Sequence, residues 1–443
     1  MFARVLLIVT LCAALPALAM PPIQTWQTTS GAHVYFVETH DLPMLDISID
    51  FPAGSAFDTR AKSGVAGLTQ LMLHLGATGL SEDEISRKIA DVGAQLDGDF
   101  DLDRGGLSLR TLTSSDELTQ ALDVFTRVLQ TPEFPAAALE REKIRLVADI
   151  KEADTKPDSI GDRNFSQLVY GDHPYALRAS GEVDSVPTVT RDDLIAFYRA
   201  HYTADQATVA IIGDLDHQRA EAIAEQLTAQ LPHAAALATI PPVPPLAHAE
   251  LKVIPHPATQ GHVLIGAPGM KRGDADYFPL YVGNYVLGGG GFVSRILNEV
   301  REKRGLAYTA YSYFMPMQQN GPFMIGLQTR KDQTAEALAV ARATLKKFVD
   351  EGPTADELKQ AKENIVGGFP LRLDSNRKIL DYLSVIGFYH LPLTYIDDFP
   401  ANVEKVTLAD VRDAFKRRVD PERMVTVVVG PEPAEISNAD NAK

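Results

Sequence analysis

The sequence is nearly devoid of cysteine, and this absence limits how the fold can be stabilised. Its single cysteine, Cys12, lies within residues 1–19, where Arg4 precedes an apolar run that ends in a small-x-small sequence. This pattern is typical of a secretory signal peptide cleaved after Ala19, and an uncleaved membrane anchor is the alternative. The exported chain would then contain no thiol and no disulfide, so packing must stabilise it.

Positive charge and long apolar runs are also scarce. The 443 residues include 42 Lys and Arg against 58 Asp and Glu, which gives a formal net charge of −16. Because nucleic-acid binding needs clustered basic surface, we expect no nucleic-acid partner. Beyond Ala19 no stretch is apolar enough to cross a bilayer, so we expect no membrane span. Export, absent disulfides and an acidic balance together predict a periplasmic protein.

Several common catalytic signatures are missing. The sequence has no G-x-S-x-G nucleophile elbow, and its stretch LGGGGFVSR lacks the G-K-[ST] ending of a phosphate loop. No two of the 11 histidines lie four residues apart, so no helix presents a two-histidine zinc face. Aspartates alternate from Asp97 to Asp103, but the glycine and glutamate of a calcium loop are absent. These aspartates are predicted to line a solvated strand face.

The sequence does contain two halves built on one plan. An Ala/Pro-rich stretch over residues 233–250 shows no hydrophobic period and is predicted to be a linker. Near the end of each half, a threonine stands three residues before an aspartate, and an apolar strand then ends in glycine. The separation from Thr190 to Gly213 equals that from Thr407 to Gly430, which indicates a duplicated domain.

Each half is predicted to fold as an α+β domain, with helices packed on one face of a mostly antiparallel sheet. Residues 33–54 alternate in polarity around turn residues 41–43, which predicts a hairpin. A helix opened by a capping box of Ser81 and Glu84 is expected further along. The chain is expected to divide into a signal peptide, a first domain, a linker, a second domain and a disordered tail, over residues 1–19, 20–232, 233–250, 251–432 and 433–443.

The first predicted helix has a buried face but few groups that could bind a metal. In SGVAGLTQLMLHLGAT, apolar residues recur at three- and four-residue steps, which predicts a helix. His74 is its single candidate ligand, and no carboxylate shares its face. We therefore expect His74 to be a packed or surface histidine.

Four blocks of the sequence resemble the pitrilysin or insulinase family of zinc peptidases. They are FPAGSAFDTRAKSGVAGLTQLML, GDHPYALRASGEVDSVPTVTRDDLIAFYRAHY, LGGGGFVSRILNEVREKRGLAYTAYSYF and GGFPLRLDSNRKILDYLSVIGFYHLPL, in the order that the family shows. The likeness covers nearly all of the chain after Ala19. It is greatest for bacterial two-domain subunits similar to mitochondrial processing peptidase, which implies the metallohydrolase fold of that enzyme.

The resemblance implies that the zinc site of active members is lost. Those members carry H-x-x-E-H on the helix after the opening strand and a further glutamate on a later helix. The motif positions fall on Gly67, Gln70 and Leu71, and the later ligand falls on Asp149. Glycine has no ligating side chain, leucine cannot coordinate a metal and glutamine cannot act as a base. We therefore expect no metal and no cofactor in this chain.

The second half keeps a different pair of family residues. Arg301 and Tyr308 match an arginine and a tyrosine that the family places seven residues apart. In clamshell members this pair faces the zinc from the opposite half and hydrogen-bonds the substrate backbone, as oxyanion donors do. The resemblance implies the same role here in trans. The alternative is ordinary structure, with Tyr308 packed in a sheet and Arg301 on the surface.

A glycine run completes the set of candidate substrate-binding residues. The non-catalytic subunit of processing peptidases has a glycine-rich loop that helps to admit substrate. Its counterpart here would be Gly288, Gly289, Gly290 and Gly291. The alternative is that these glycines end a helix.

Together these features imply a non-catalytic subunit of a heterodimeric zinc metallopeptidase. A sister subunit with an intact H-x-x-E-H motif would supply the metal and the base, and this chain would form the other wall of a chamber for peptides. One alternative is an autonomous peptidase with a metal site rebuilt from residues such as His74 or Asp149. Another is a structural or peptide-binding subunit with no peptidase attached.

Overall fold

The computed structural model describes residues 21–233 and 239–440. The predicted signal peptide lies outside these ranges, as do residues 234–238 of the predicted linker and residues 441–443. Two mixed helical and sheet-forming halves follow one another along the described chain. In these ranges no helix has the length and apolar character needed to cross a membrane.

The helices and strands are numbered here in chain order. The first half contains β1 (Gln24–Gln27), β2 (His33–Glu38), β3 (Met44–Phe51), α1 (Val65–Met72), β4 (Gly76–Ala77), β5 (Leu80–Ser81), α2 (Glu82–Asp91), β6 (Gln95–Phe100), β7 (Gly105–Leu112), α3 (Ser115–Gln130), α4 (Ala136–Ala153), α5 (Pro157–Tyr170), α6 (Arg191–His201), β8 (Thr208–Gly213) and α7 (His217–Thr228). The second contains β9 (Glu250–Pro255), β10 (Gln260–Pro268), α8 (Tyr277–Asn284), α9 (Arg295–Leu297), β11 (Ala307–Phe314), β12 (Pro322–Arg330), α10 (Thr334–Glu351), α11 (Ala355–Gly368), α12 (Asn376–Phe388), α13 (Tyr395–Lys405), α14 (Leu408–Arg418), β13 (Val425–Gly430) and α15 (Pro433–Asp440).

The two main sheets repeat one strand order. The first runs β1-β2-β8-β3-β7-β6 and the second runs β9-β13-β10-β12-β11. In each, the last strand of the half enters between two earlier strands, parallel to one and antiparallel to the other. The remaining described pairs are antiparallel. The predicted α+β class, with two tandem domains and mostly antiparallel sheets, is confirmed.

The capping boxes predicted from the sequence mark the starts of three helices, but the prediction of the first hairpin is wrong. Capping boxes open α2, α6 and α14, at Ser81, Thr190 and Thr407. In each box the side chains satisfy backbone N–H groups that the first helical turn leaves free. The predicted hairpin over residues 33–54 is wrong, because β8 lies between β2 and β3.

Each main sheet is covered on both faces. In β2, Val34 and Phe36 pack in the core of the first half, whereas the alternating Tyr35 and Val37 belong to the core of the second. Helix α12 of the second half lies on β8 and β3, and helix α5 of the first half lies on β13 and β10. The structure thus adds, to the predicted helices of the same half, a helix from the other half on the second face of each sheet.

A buried carboxylate joins the two halves. Asp103 accepts hydrogen bonds from the hydroxyl of Tyr175, from the hydroxyl of Tyr389 at 2.9 Å and from the N–H of Gln318 at 2.7 Å. Burial raises the pKa of Asp103, and these donors oppose the rise. The prediction of a solvated face is therefore wrong for Asp103, because residues of both halves enclose it.

The described part of the linker contains no helix or strand before β9, whereas the described part of the tail is helical. Residues 239–249 form no helix or strand, yet Ile240 and Val243 are buried in a core shared with α5. The prediction of a disordered tail over residues 433–443 is wrong for its described part. Helix α15 forms there, because Ile436 is buried in the second core.

Candidate functional site

The helix that carries the degenerate motif positions is bound to the first sheet. Gln70 of α1 is buried, and its Nε2 donates to the carbonyl of Gly106 in β7 at 2.5 Å. Its Oε1 accepts from the hydroxyl of Tyr202 at 2.7 Å. A carboxylate could keep the second contact but has no N–H for the first. The position that the resemblance assigns to the family's catalytic base thus holds an amide that connects a helix to a strand.

The metal-ligand positions do not fit a zinc ion. A Cβ added at Gly67 would lie 3.0 Å from the carbonyl oxygen of Ala179 and 3.4 Å from the ring of Phe100, so a histidine there would displace its neighbours. Leu71 is apolar, and Asp149 is an exposed residue of α4. Across residues 21–233 and 239–440, no group of three or more His, Cys, Asp or Glu side chains could hold a metal ion.

His74 does not offer a rebuilt site among the described residues. It lies in the turn after α1, where burial lowers its pKa and the carboxylates of Glu82, Glu142 and Asp97 oppose the shift. Of these, Glu142 already accepts from Arg141 at 2.9 Å. Glu82 is also paired with Arg141, at 2.9 Å, so two of the three carboxylates near His74 are held by an arginine.

Arg301 and Tyr308 meet on the surface of the second half. The guanidinium carbon of Arg301 lies 4.8 Å from the ring centroid of Tyr308 and 5.0 Å from that of Phe292. Its Nη1 also donates to the carbonyl of Tyr308 at 3.3 Å. This stacking holds the guanidinium beside the phenol. Because Tyr308 is 77% exposed, its side chain does not pack within the sheet.

The pair lies at an edge of the second sheet. Tyr308 is the second residue of β11, and β12 is the single described strand that pairs with β11. Part of this edge is already covered, because the carbonyl of Ser312 accepts from Nδ2 of Asn284 at 3.0 Å and that of Tyr308 accepts from Arg301. An extended peptide can bind the remaining unpaired backbone groups of an edge strand. The arrangement therefore offers mainly the side chains of Arg301 and Tyr308 to a peptide.

The first two glycines of the run end a helix. Gly288 and Gly289 lie in a π-helical turn, Tyr285–Gly289, that continues α8. A Cβ at Gly288 would lie 2.3 Å from the Oγ and 2.4 Å from the backbone nitrogen of Ser312 in β11. Packing thus requires glycine at position 288. Gly288 and Gly289 are better described as the end of a helix than as an open loop.

The other two glycines lead to an exposed aromatic side chain. A Cβ at Gly290 would lie 2.7 Å from the carbonyl oxygen of Tyr285. Gly291 has a φ of +61°, which favours glycine, and Phe292 behind it is largely exposed. The turn therefore presents Phe292 to the stacked guanidinium of Arg301.

A cavity beside this turn contains two arginines that the sequence did not single out. It has a volume of about 590 Å³ and is lined by residues of α8, the glycine turn and β11, together with Arg272 and Arg372. Neither arginine belongs to a sequence motif that would mark it as a ligand-binding residue. Tyrosines at helical spacing in α8, Tyr277 and Tyr281, were the one available signal, and in a sequence they are indistinguishable from core residues.

Comparisons with known proteins support the sequence resemblance. Residues 34–181 match the family described as insulinase (peptidase family M16), and residues 188–365 match the one described as peptidase M16 inactive domain. A Streptomyces coelicolor protein named an uncharacterized zinc protease is 28% identical over 388 residues, covering 85% of this chain and 83% of its own. A Helicobacter pylori protein named non-peptidase homolog YmxG is 25% identical over 400 residues, covering 89% and 91%.

A solved structure shows the same architecture. The crystal structure of a peptidase M16 inactive domain from Pseudomonas fluorescens is 38% identical in sequence, with a TM-score of 0.89. The alignment covers 93% of this chain and 98% of that one, so it includes both halves.

Proposed function

Because this chain belongs to the insulinase family, peptidase family M16, and is a non-catalytic relative within it, we propose that it is one subunit of a heterodimeric zinc metallopeptidase. The observation that carries the proposal is the state of α1. Gln70 is hydrogen-bonded on both sides of its amide, and the space beside Gly67 is occupied by Ala179 and Phe100. A chain with this helix needs a partner for metal-dependent chemistry.

In the proposed complex, a sister subunit with an intact H-x-x-E-H motif supplies the metal and the base. This chain supplies the opposite wall of a peptide chamber in the periplasm. The exposed hydroxyl of Tyr308 and the guanidinium of Arg301 donate hydrogen bonds to the carbonyl oxygen of the peptide. Donors aimed at developing negative charge lower the barrier to attack on a carbonyl.

The uncovered part of the β11 edge orients the peptide next to this pair. A strand that adds to the edge places successive peptide carbonyls at a fixed spacing along the sheet. The stacking of Arg301 between the rings of Phe292 and Tyr308 fixes the donors before a peptide arrives. Preorganised donors lose less entropy on binding than mobile ones do.

The proposal is tested by recovering the tagged full-length protein from its native host. We expect a second chain with H-x-x-E-H to co-purify, in an interface of more than roughly 2,000 Å², as in obligate assemblies. We also expect zinc in the complex but not in this chain after dialysis. Stoichiometric zinc in the isolated chain, lost in Asp149→Ala, would establish a rebuilt site instead. Recovery without a peptidase chain would favour a purely structural or peptide-binding role.

A further inference from the structure

The cavity beside the glycine turn has a charge opposite to that of the protein. We call it the arginine cavity and define it by six of its lining residues: Arg272, Arg372, Tyr277, Tyr281, Tyr285 and Asn284. Its lining contains two arginines and, among the described residues, no aspartate or glutamate. In a chain of net charge −16, such a concentration of unopposed positive charge needs an explanation.

Neither guanidinium has a carboxylate partner within the described chain. Arg272 stacks 5.4 Å from the ring centroid of Tyr389, and Arg372 stacks 5.9 Å from that of Tyr281. By contrast, Arg295 of the same half forms a salt bridge with Glu357 at 2.6 Å. Stacking uses the faces of the two guanidinium groups and leaves the in-plane N–H groups of Arg272 available. Arg372 also donates to the side chains of Tyr281 and Tyr382, which takes up part of its five N–H donors.

One of these N–H groups is both buried and unsatisfied. The Nε of Arg272 is shielded from solvent and has no hydrogen-bond partner. Leaving such a donor unpaired costs free energy, so an acceptor that reached it after a small side-chain shift would recover that cost. Because the donor is charged, an anionic acceptor gains most from it.

The surrounding groups do not neutralise the arginines. Burial raises the pKa of Tyr277 and Tyr281, so their phenols stay neutral near pH 7. The nearby Asp274 is engaged by Arg418 at 2.7 Å. From α5 of the other half, Asp162 acts electrostatically on two tyrosines of β11. Arg272 also borders a second, smaller cavity whose lining includes Asp274 and Asp398. These carboxylates lie outside the lining of the arginine cavity, where, among the described residues, both arginines remain without an acidic neighbour.

We propose that the arginine cavity binds a carboxylate group of a peptide, with Arg272 and Arg372 as its cationic ligands. Guanidinium groups match carboxylates in geometry and can bind them through two parallel hydrogen bonds. The identity of the carrier rests on the proposed function: β11 lines the cavity and also carries Tyr308 at its edge, so a peptide on that edge passes the cavity mouth. Both a C-terminal carboxylate and an acidic side chain offer this chemistry.

The test measures binding of labelled neutral hexapeptides to the isolated full chain by fluorescence anisotropy. Three forms are compared: a free C-terminal carboxylate, a C-terminal amide, and an amide with one internal glutamate. We expect at least one carboxylated form to bind about tenfold or more tightly than the neutral amide, which is the scale of a charge-assisted hydrogen bond. The form that binds identifies which carboxylate is recognised, and added salt should weaken it.

Two variants and a matched control assign the site. Arg272→Gln and Arg372→Gln should each abolish most of the preference for the carboxylated form, and Arg372→Lys should restore part of it. Arg87→Gln removes the same charge from an exposed position on α2 and should leave binding unchanged. Thermal unfolding checks that each variant is folded, and the exposed position of Arg372 makes its substitution safe in this respect.

Equal binding of carboxylated and amidated peptides would overturn the inference. So would full binding by both glutamine variants, or binding of inorganic phosphate with no binding of any peptide. The measurement needs no sister subunit, so its failure is separate from failure of the heterodimer. If the carboxylate preference is found but no peptidase chain co-purifies, the arginine cavity stands and the proposed function falls.

Discussion

Gln70 has a structural role at the position that the resemblance assigns to a catalytic base. Its amide donates to a strand carbonyl and accepts from a buried hydroxyl, so both of its ends are satisfied. The sequence predicts, through the resemblance, that no base stands at this position. The sequence could not predict that Gln70 connects α1 to β7 by a hydrogen bond. Its partners, Gly106 and Tyr202, are distant in sequence.

Substituting Gln70→Glu tests that structural role. The carboxylate cannot donate to the carbonyl of Gly106, which is left buried opposite a negative charge. We expect the free energy of unfolding to fall by about 1–3 kcal/mol, the cost of an unsatisfied buried group, and no zinc to be gained. Urea unfolding and metal analysis measure the two effects.

A control with the same chemical change is Gln167→Glu, at an exposed position on α5. It should alter stability by less than about 0.5 kcal/mol, as is usual for surface substitutions. A Gln70→Glu protein as stable as this control would show that the hydrogen bond to Gly106 contributes nothing.

Asp58 makes stability depend on pH at the start of the same helix. Its carboxylate accepts from the N–H of Gly64 at 2.6 Å and of Ala66 at 2.9 Å, while burial raises its pKa to about 7. The folded pKa lies above the unfolded value of about 4. The contribution of Asp58 is therefore present in full below pH 4 and is lost as the pH rises through about 7.

We expect the stability advantage of the wild type over Asp58→Asn to shrink as the pH rises from about 4 to about 8. Asparagine keeps the size of the side chain and one carbonyl acceptor but does not titrate in this range. Urea titrations of both proteins at several pH values measure the difference. A constant difference would mean that Asp58 has the same pKa folded and unfolded.

At the scale of secondary-structure elements, the sequence predicted where several helices begin but not which strands pair. Capping boxes are local patterns of side chain and backbone, and the helices at Ser81, Thr190 and Thr407 begin where they predict. The hairpin prediction was wrong because the turn residues between β2 and β3 are equally compatible with a connection that passes a third strand inserted between these two. That strand, β8, begins at Thr208 and is far away in sequence.

The glycine turn allows a sharp test of element packing. Gly288→Ala should reduce the free energy of unfolding by about 1–3 kcal/mol, since its Cβ would overlap Ser312 of β11 and force a shift. Gly367→Ala is the matched control, because a Cβ at this helical position of α11 meets no atom within 4 Å. The control should be neutral or stabilising by up to about 1 kcal/mol.

Chemical denaturation of the two alanine variants decides the question. If Gly288→Ala is as stable as Gly367→Ala, the turn is loose enough to move away from β11. The glycines would then resemble the substrate-admitting loop that the family likeness implies more than a packed helix end.

At the scale of the whole molecule, the two halves exchange helices and share a buried carboxylate. The duplication was visible in the sequence because the repeats match in type and spacing. The exchange of helices was not visible in the sequence. Tyr35 and Val37 pack with residues of the second half, and no local pattern connects them to these residues. Asp103 was missed for the same reason: its donors come from both halves.

The central claim is that this chain contributes to catalysis on a partner's substrate. Tyr308→Phe removes one hydroxyl and keeps the ring that stacks on Arg301. Loss of an oxyanion-type donor typically lowers turnover by about a hundred- to a thousand-fold, and we expect at least about tenfold here. Arg301→Ala should act similarly and also weaken peptide binding, whereas Arg304→Ala, a neighbouring exposed arginine, should have little effect.

The most direct measurement is steady-state peptide cleavage by the complex with its sister subunit, reconstituted with each of these variants of this chain. The account predicts a lower turnover number for Tyr308→Phe and Arg301→Ala, with zinc content and complex formation equal to those of the wild type. Unchanged turnover in both variants would contradict it, and the chain would then be a scaffold without a part in the active site.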